Sequence, residues 1–208
     1  MGQTAADEGG VRESRWSRAA LFKRAFAVAG AVGAADLAVG ASVADTATRS
    51  RGDDVAILNF VLLLEYLQEA FYSRAAAGTA LRGELRRFAR TAADDERDHV
   101  RALRAALGKR ARQRPRFRFG SAVSDRRRFA VAALELEELT VAASIGQGAN
   151  LTPRGITSIA PIVSVDARHA AWIRDIVGEL PAPRAADRAR PAGEVLRTLK
   201  RRGFVARG

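Results

Sequence analysis

The sequence predicts an all-α fold, a four-helix bundle with a long crossover between its second and third helices. Three observations carry this. Of 208 residues, 48 % are hydrophobic but only 6 % are aromatic. Alanine, leucine and arginine, all good helix formers, dominate, and β-branched runs are few. Apolar residues recur at steps of three and four along the chain. Glycines at 78, 108, 146, 148 and 178 divide that pattern into four segments, and the longest connection follows Gly108.

The first helix is expected to start at Gly52-Asp53-Asp54, a flexible glycine followed by a capping acid. It continues through "VAILNFVLLLEYLQEAFY", residues 55 to 72. That run is long enough to span a membrane, but Asn59, Glu65, Gln68 and Glu69 inside it point to a helix wrapped by other helices. Gly78 ends it. The second helix is expected from Thr79 to Leu107, with Leu81, Leu85, Phe88, Ala92, Glu96, His99 and Leu103 on one face. A basic loop follows, "KRARQRPRFRFG", residues 109 to 120.

Ser124-Asp125 caps the third helix, which Gly146 and Gly148 are expected to close. Thr152-Pro153 opens the fourth, with proline in the first turn, and Gly178 stops it. Pro161 removes one backbone donor inside this helix and is expected to bend it. The bundle domain is thus read as residues 45–180. Residues 181–208, rich in proline and arginine, form a basic C-terminal strap on it.

The first 44 residues read differently. Arg15, Arg18, Lys23 and Arg24 precede an apolar run from Ala25 to Ala35, and small residues end in Ser42-Val43-Ala44. That order describes an export signal, and places the protein outside the cytoplasm in the envelope or medium. The alternative is a disordered alanine-rich tail on a cytoplasmic protein. The chain has no cysteine, which excludes disulfides, zinc–thiolate sites and iron–sulfur clusters. It carries 35 basic against 23 acidic residues, formally +12, and only Lys23, Lys109 and Lys200 are lysines. A field of this sign attracts anionic partners such as envelope polymers or lipid headgroups. Residues 109 to 118, with Phe117 among the arginines, also suit phosphate contact and base stacking, although an exported chain would not meet chromosomal DNA.

The chain has only two histidines, and each follows an acid by three residues: Glu96 and His99, Asp166 and His169. At that spacing both side chains leave the same face of a helix. Glu65 stands in the apolar run of the first helix, and Glu137 lies one turn from Leu134 and Val141 on the third. The order is acid, acid-x-x-His, acid, acid-x-x-His, so two similar hairpins each carry half a site. Carboxylates are costly to bury alone, and four of them with two imidazoles make physical sense around two cations. Oxygen and nitrogen donors without sulfur suit iron(II), manganese(II) or zinc.

The stretches "DVAILNFVLLLEYLQEAFY", "DDERDHVRAL", "LELEELTVAAS" and "VDARHAAWIRDIVGELPAP" resemble the ferritin-like domain of the family that includes plant desiccation-related proteins and exported bacterial proteins. The resemblance covers about residues 53 to 184. It implies a ferritin-like four-helix bundle with a di-iron centre, and carries ligand roles to Glu65, Glu96, His99, Glu137 and His169; manganese is the alternative that the donor atoms themselves allow. It also favours Glu137 over Glu138, through the pattern LExxxV. Asp166 departs from it, since a glutamate is expected there and aspartate is one methylene shorter. Glu69 and the aromatic residues Tyr72 and Trp172 lie near the same register; a half-exposed surface position for Glu69 and packing for the two rings are the commoner fates of such residues.

Two functions follow from these readings. One is a di-metal oxidase that oxidises iron(II) or reduces dioxygen or peroxide, with Glu96 and Asp166 bridging and Glu65 and Glu137 terminal. The other is a non-enzymatic stress protein of the envelope, with structural metal or none.

Overall fold

The computed structural model describes residues 51–205, and the expected export signal lies outside them. Among the described residues are five α-helices: α1 Arg51–Ala77, α2 Gly83–Leu107, α3 Arg126–Gly148, α4 Pro153–Ile176 and α5 Ala192–Arg202. The first four form the bundle. α1 is apolar and long enough to cross a membrane, but most of its apolar window is buried inside the protein. Val61, Leu62, Phe71, Tyr72 and Ala75 are inaccessible. They meet Phe88 and Ala92 of α2, and Phe129 and Ala133 of α3, in one core.

Several expected boundaries shift for identifiable reasons. α1 starts at Arg51, so Asp53 and Asp54 fall in its first turn instead of capping it. Asp54 is used across the bundle: its carboxylate accepts bonds from Thr152 N (2.9 Å) and Thr152 Oγ1 (2.5 Å). Thr152 in turn caps α4 by accepting from Gly155 N. α2 begins at Gly83, four residues after Thr79. Leu81 is still fully buried, but from the connecting turn, and Gly83 leaves that turn at φ 55°, a left-handed conformation glycine adopts without strain. α3 is capped as expected, Asp125 accepting from Arg128 N at 2.8 Å. It runs through Gly146 to Gly148 without closing at the first glycine. Gly146 instead allows a close approach: a Cβ there would run into the Arg190 carbonyl of the C-terminal segment. α4 continues through Pro161.

The connection between α2 and α3 crosses the length of the bundle. Near its start, Asn59 of α1 donates to Arg110 O and accepts from Arg112 N. Tyr66 donates to Arg112 O. Near its end, Phe119 packs edge-on to Phe71. α3 therefore starts beside the C-terminal end of α1, and the long crossover is as expected. The C-terminal segment crosses back over α3, with Arg190 N bonded to Ala142 O. It then forms α5 within the expected strap. Val195, Leu199 and Phe204 bury against the bundle, and Val205 pairs with Phe117.

Candidate metal centre

Glu65 on α1, Glu96 and His99 on α2, Glu137 on α3, and Asp166 and His169 on α4 all point into the bundle and are buried. One ligand atom from each of Glu65, Glu96, His99 and Asp166 lies within 4.8 Å of the others. The same holds for Glu96, Glu137, Asp166 and His169. Glu96 and Asp166 belong to both groups. The shorter aspartate thus reaches both halves of the constellation.

The contacts are close. His99 Nδ1 lies 3.1 Å from Glu65 Oε2, 3.1 Å from Glu96 Oε2 and 3.5 Å from Asp166 Oδ1. His169 Nδ1 is 3.4 Å from Glu96 Oε1 and 3.8 Å from Glu137 Oε1. Two supporting contacts were not legible in the sequence. His169 Nε2 lies 3.0 Å from Asp95 Oδ2, a carboxylate on α2 beside Glu96. Tyr72 donates to Glu137 Oε1 at 2.5 Å. Only the acid run Asp94-Asp95-Glu96 hinted at the first, because nothing local ties position 95 to α4. Tyr72, for which packing is the commoner expectation, both packs and bonds. Trp172 donates to Glu84 at 3.0 Å and touches Phe88, away from the ligands. Glu69 is half-buried and pairs with Arg114.

Burial sets the electrostatics. Glu96 is pushed from the ordinary 4.5 to about 7 and Glu137 to about 8, above all by loss of hydration. Glu65 and Asp166 are raised as well, by burial first and then by neighbouring carboxylates. Tyr72 is raised by burial and by the charge of Glu137. Hydrogen bonding is incomplete: Glu65 Oε1, Glu96 Oε1, Glu137 Oε2, both Asp166 oxygens and His169 Nδ1 have no hydrogen-bond partner. Native interiors rarely leave so many acceptors unpaired in one place. Acceptor-only atoms converging on shared space suit cations, and this donor set suits first-row divalent metals.

Residues 53–179 match the family model for a ferritin-like domain. The chain belongs to the ferritin-like domain family. The match covers α1 to α4 and all six converging side chains. No curated protein matches the chain.

Proposed function

We propose that this ferritin-like bundle holds two iron or manganese ions and works as a di-metal oxidase. The observation that carries the reading is the sharing of Glu96 and Asp166 by two overlapping groups of buried ligands. Glu65 and His99 would complete one ion's set, and Glu137 and His169 the other's. When bound, such a pair would supply two electrons as two iron(II) go to iron(III), enough with two protons to take hydrogen peroxide to two waters or dioxygen to hydrogen peroxide.

The protein's own part is to bind, orient and exclude water. The apolar walls, Phe88 among them, keep bulk solvent from the carboxylates. Glu96 and Glu137 must release protons before they ligate, since metals bind the deprotonated forms. Asp95 orients the His169 ring so that Nδ1 faces the carboxylates, as outer partners of metal-bound histidines do. Tyr72 fixes one Glu137 oxygen and leaves the other free. Export is part of the same proposal, on the order of residues in the N-terminal 44, and cell fractionation with N-terminal sequencing tests it; kinship with the desiccation-related members rests on the stretches quoted between residues 53 and 184.

The deciding experiment is the metal content of the full chain purified without chelator, beside a Glu96→Ala/His99→Ala variant. About two iron or manganese ions per chain, lost in the variant, are expected, with oxygen uptake on iron(II) addition to the parent. No bound metal after anaerobic iron(II) loading would overturn the reading. It would leave a bundle retained for its cationic surface.

A further inference from the structure

The crossover between α2 and α3 runs along one side of α1. It covers residues 59 to 71 of α1, about 18 Å at the helical rise, with residues 112 to 119. From Arg114 to Phe119 exposure alternates residue by residue, as it does on a half-buried strand, while Gln113 is exposed with its neighbours. The sequence uses the alternation. Ala111, Pro115, Phe117 and Phe119 face the protein, and Phe117 and Phe119 are buried in the core. Arg110, Arg112, Arg114, Arg116 and Arg118 are exposed. Arg114, Arg116 and Arg118 therefore share one side, about 6.6 Å between neighbours at the strand rise.

This row is held in place. Asn59 and Tyr66 bind its backbone at one end. At the other, Arg118 N bonds Phe204 O at 2.9 Å beside the Phe117–Val205 bridge. Of the five, Arg114 pairs with Glu69; Arg116 and Arg118 have no ion pair among the described residues. The row ends in a hollow lined by Arg118, Arg127, Arg128 and Arg202. Arg127 and Arg128 stand in the first turn of α3, behind its Asp125 cap. The cost of ordering the loop has already been met by the fold, so a ligand would meet an arrangement prepared for it.

We propose that this arginine row binds a linear phosphodiester polymer that carries no bases, of the poly(glycerol phosphate) kind. A single file of charges fits a chain better than a plane of lipid headgroups. Phe117, which the sequence offered for base stacking, is turned into the core together with Phe119, so bases would gain nothing here. The proposal is independent of the metal centre.

The test titrates the full chain with a poly(glycerol phosphate) oligomer and with oligo-dT of the same phosphate number, at several salt concentrations. Two variants are compared. Arg112→Gln/Arg116→Gln/Arg118→Gln removes three of the row's five arginines, leaving the Arg114–Glu69 pair in place. Arg87→Gln/Arg97→Gln/Arg101→Gln removes the same charge from the exposed face of α2, where each arginine is paired with an acid three residues before it. Circular dichroism and metal content should match the parent in both. Affinity for the glycerol phosphate oligomer should fall about tenfold or more in the first variant, with a salt slope lower by about two. It should change little in the second. Equal losses in both variants would reduce the effect to net charge and overturn the proposal. Tighter binding of oligo-dT would overturn it in favour of single-stranded nucleic acid, and absence of salt-dependent binding would end it.

Discussion

The α1–α2 and α3–α4 hairpins each bring a glutamate and an acid-x-x-histidine pair to the centre, yet they hold them differently. In the first, His99 presses one nitrogen against Glu65, Glu96 and Asp166, and no outer residue steadies the group among the described contacts. In the second, His169 is braced from behind by Asp95, and Glu137 is braced by Tyr72. His169 Nδ1 stands farther from its carboxylates and has no hydrogen-bond partner. One half is closed by its own ligands, and the other is held open by outer supports. The difference teaches that two copies of a motif need not give equal sites: the surroundings set how ready each is for an ion.

The largest expected effect comes from a residue the halves share. Asp166→Ala should abolish binding of both ions, whereas Glu65→Ala or Glu137→Ala should each remove about one. Metal analysis of the three variants checks this. If Asp166→Ala lost only one ion, the two halves would not share that carboxylate.

Proton binding should separate the empty protein from the loaded one. Glu96 and Glu137 have folded values of about 7 and about 8, above their ordinary 4.5. Their neutral forms are therefore favoured in the fold. That stabilisation is complete below about pH 4.5 and is lost as pH rises through about 7 and then about 8. Thermal melts of metal-free protein should show a decline on the order of a few kcal/mol across this window. Metal affinity should rise over the same range, because binding releases those protons. A metal-free stability that increased from about pH 5 to about pH 8 would contradict the buried, proton-retaining arrangement.

The supports predict a smaller and one-sided effect. Asp95→Asn should weaken the His169 half by about 10- to 100-fold in metal affinity, and leave the His99 half near its parent value. Competitive titration with a chelator resolves the two steps; equal weakening of both would mean that Asp95 acts on the bundle as a whole. Smallest of all, Tyr72→Phe should cost about 1–3 kcal/mol of metal-free stability, since a buried Glu137 oxygen loses its donor. Denaturant unfolding measures it.

Much of this was legible because helices repeat. A period near 3.6 placed Glu96 with His99 and Asp166 with His169 on single faces, and the same period sent Glu65 and Glu137 inward. Glycines marked most ends. Where they misled, a tertiary contact intervened: Gly146 makes room for the Arg190 carbonyl inside a continuing helix, and Leu81 buries from a turn. The apolar stretch from Val195 to Leu199 is visible within the strap, but its arginines and prolines obscure that it is the buried face of a helix, α5.

By itself the sequence determined an all-helical chain, the inward faces of its four main helices, and the six side chains that meet. Those are consequences of local period and of the cost of exposing apolar surface, which are written in consecutive residues. Only the tertiary structure decided that Glu96 and Asp166 serve both groups, that Asp95 and Tyr72 steady one of them, and that the arginines of the crossover stand in a fixed row with their phenylalanines turned inward. Each joins residues far apart in the chain, and such pairings depend on how helices approach one another, which no local pattern encodes.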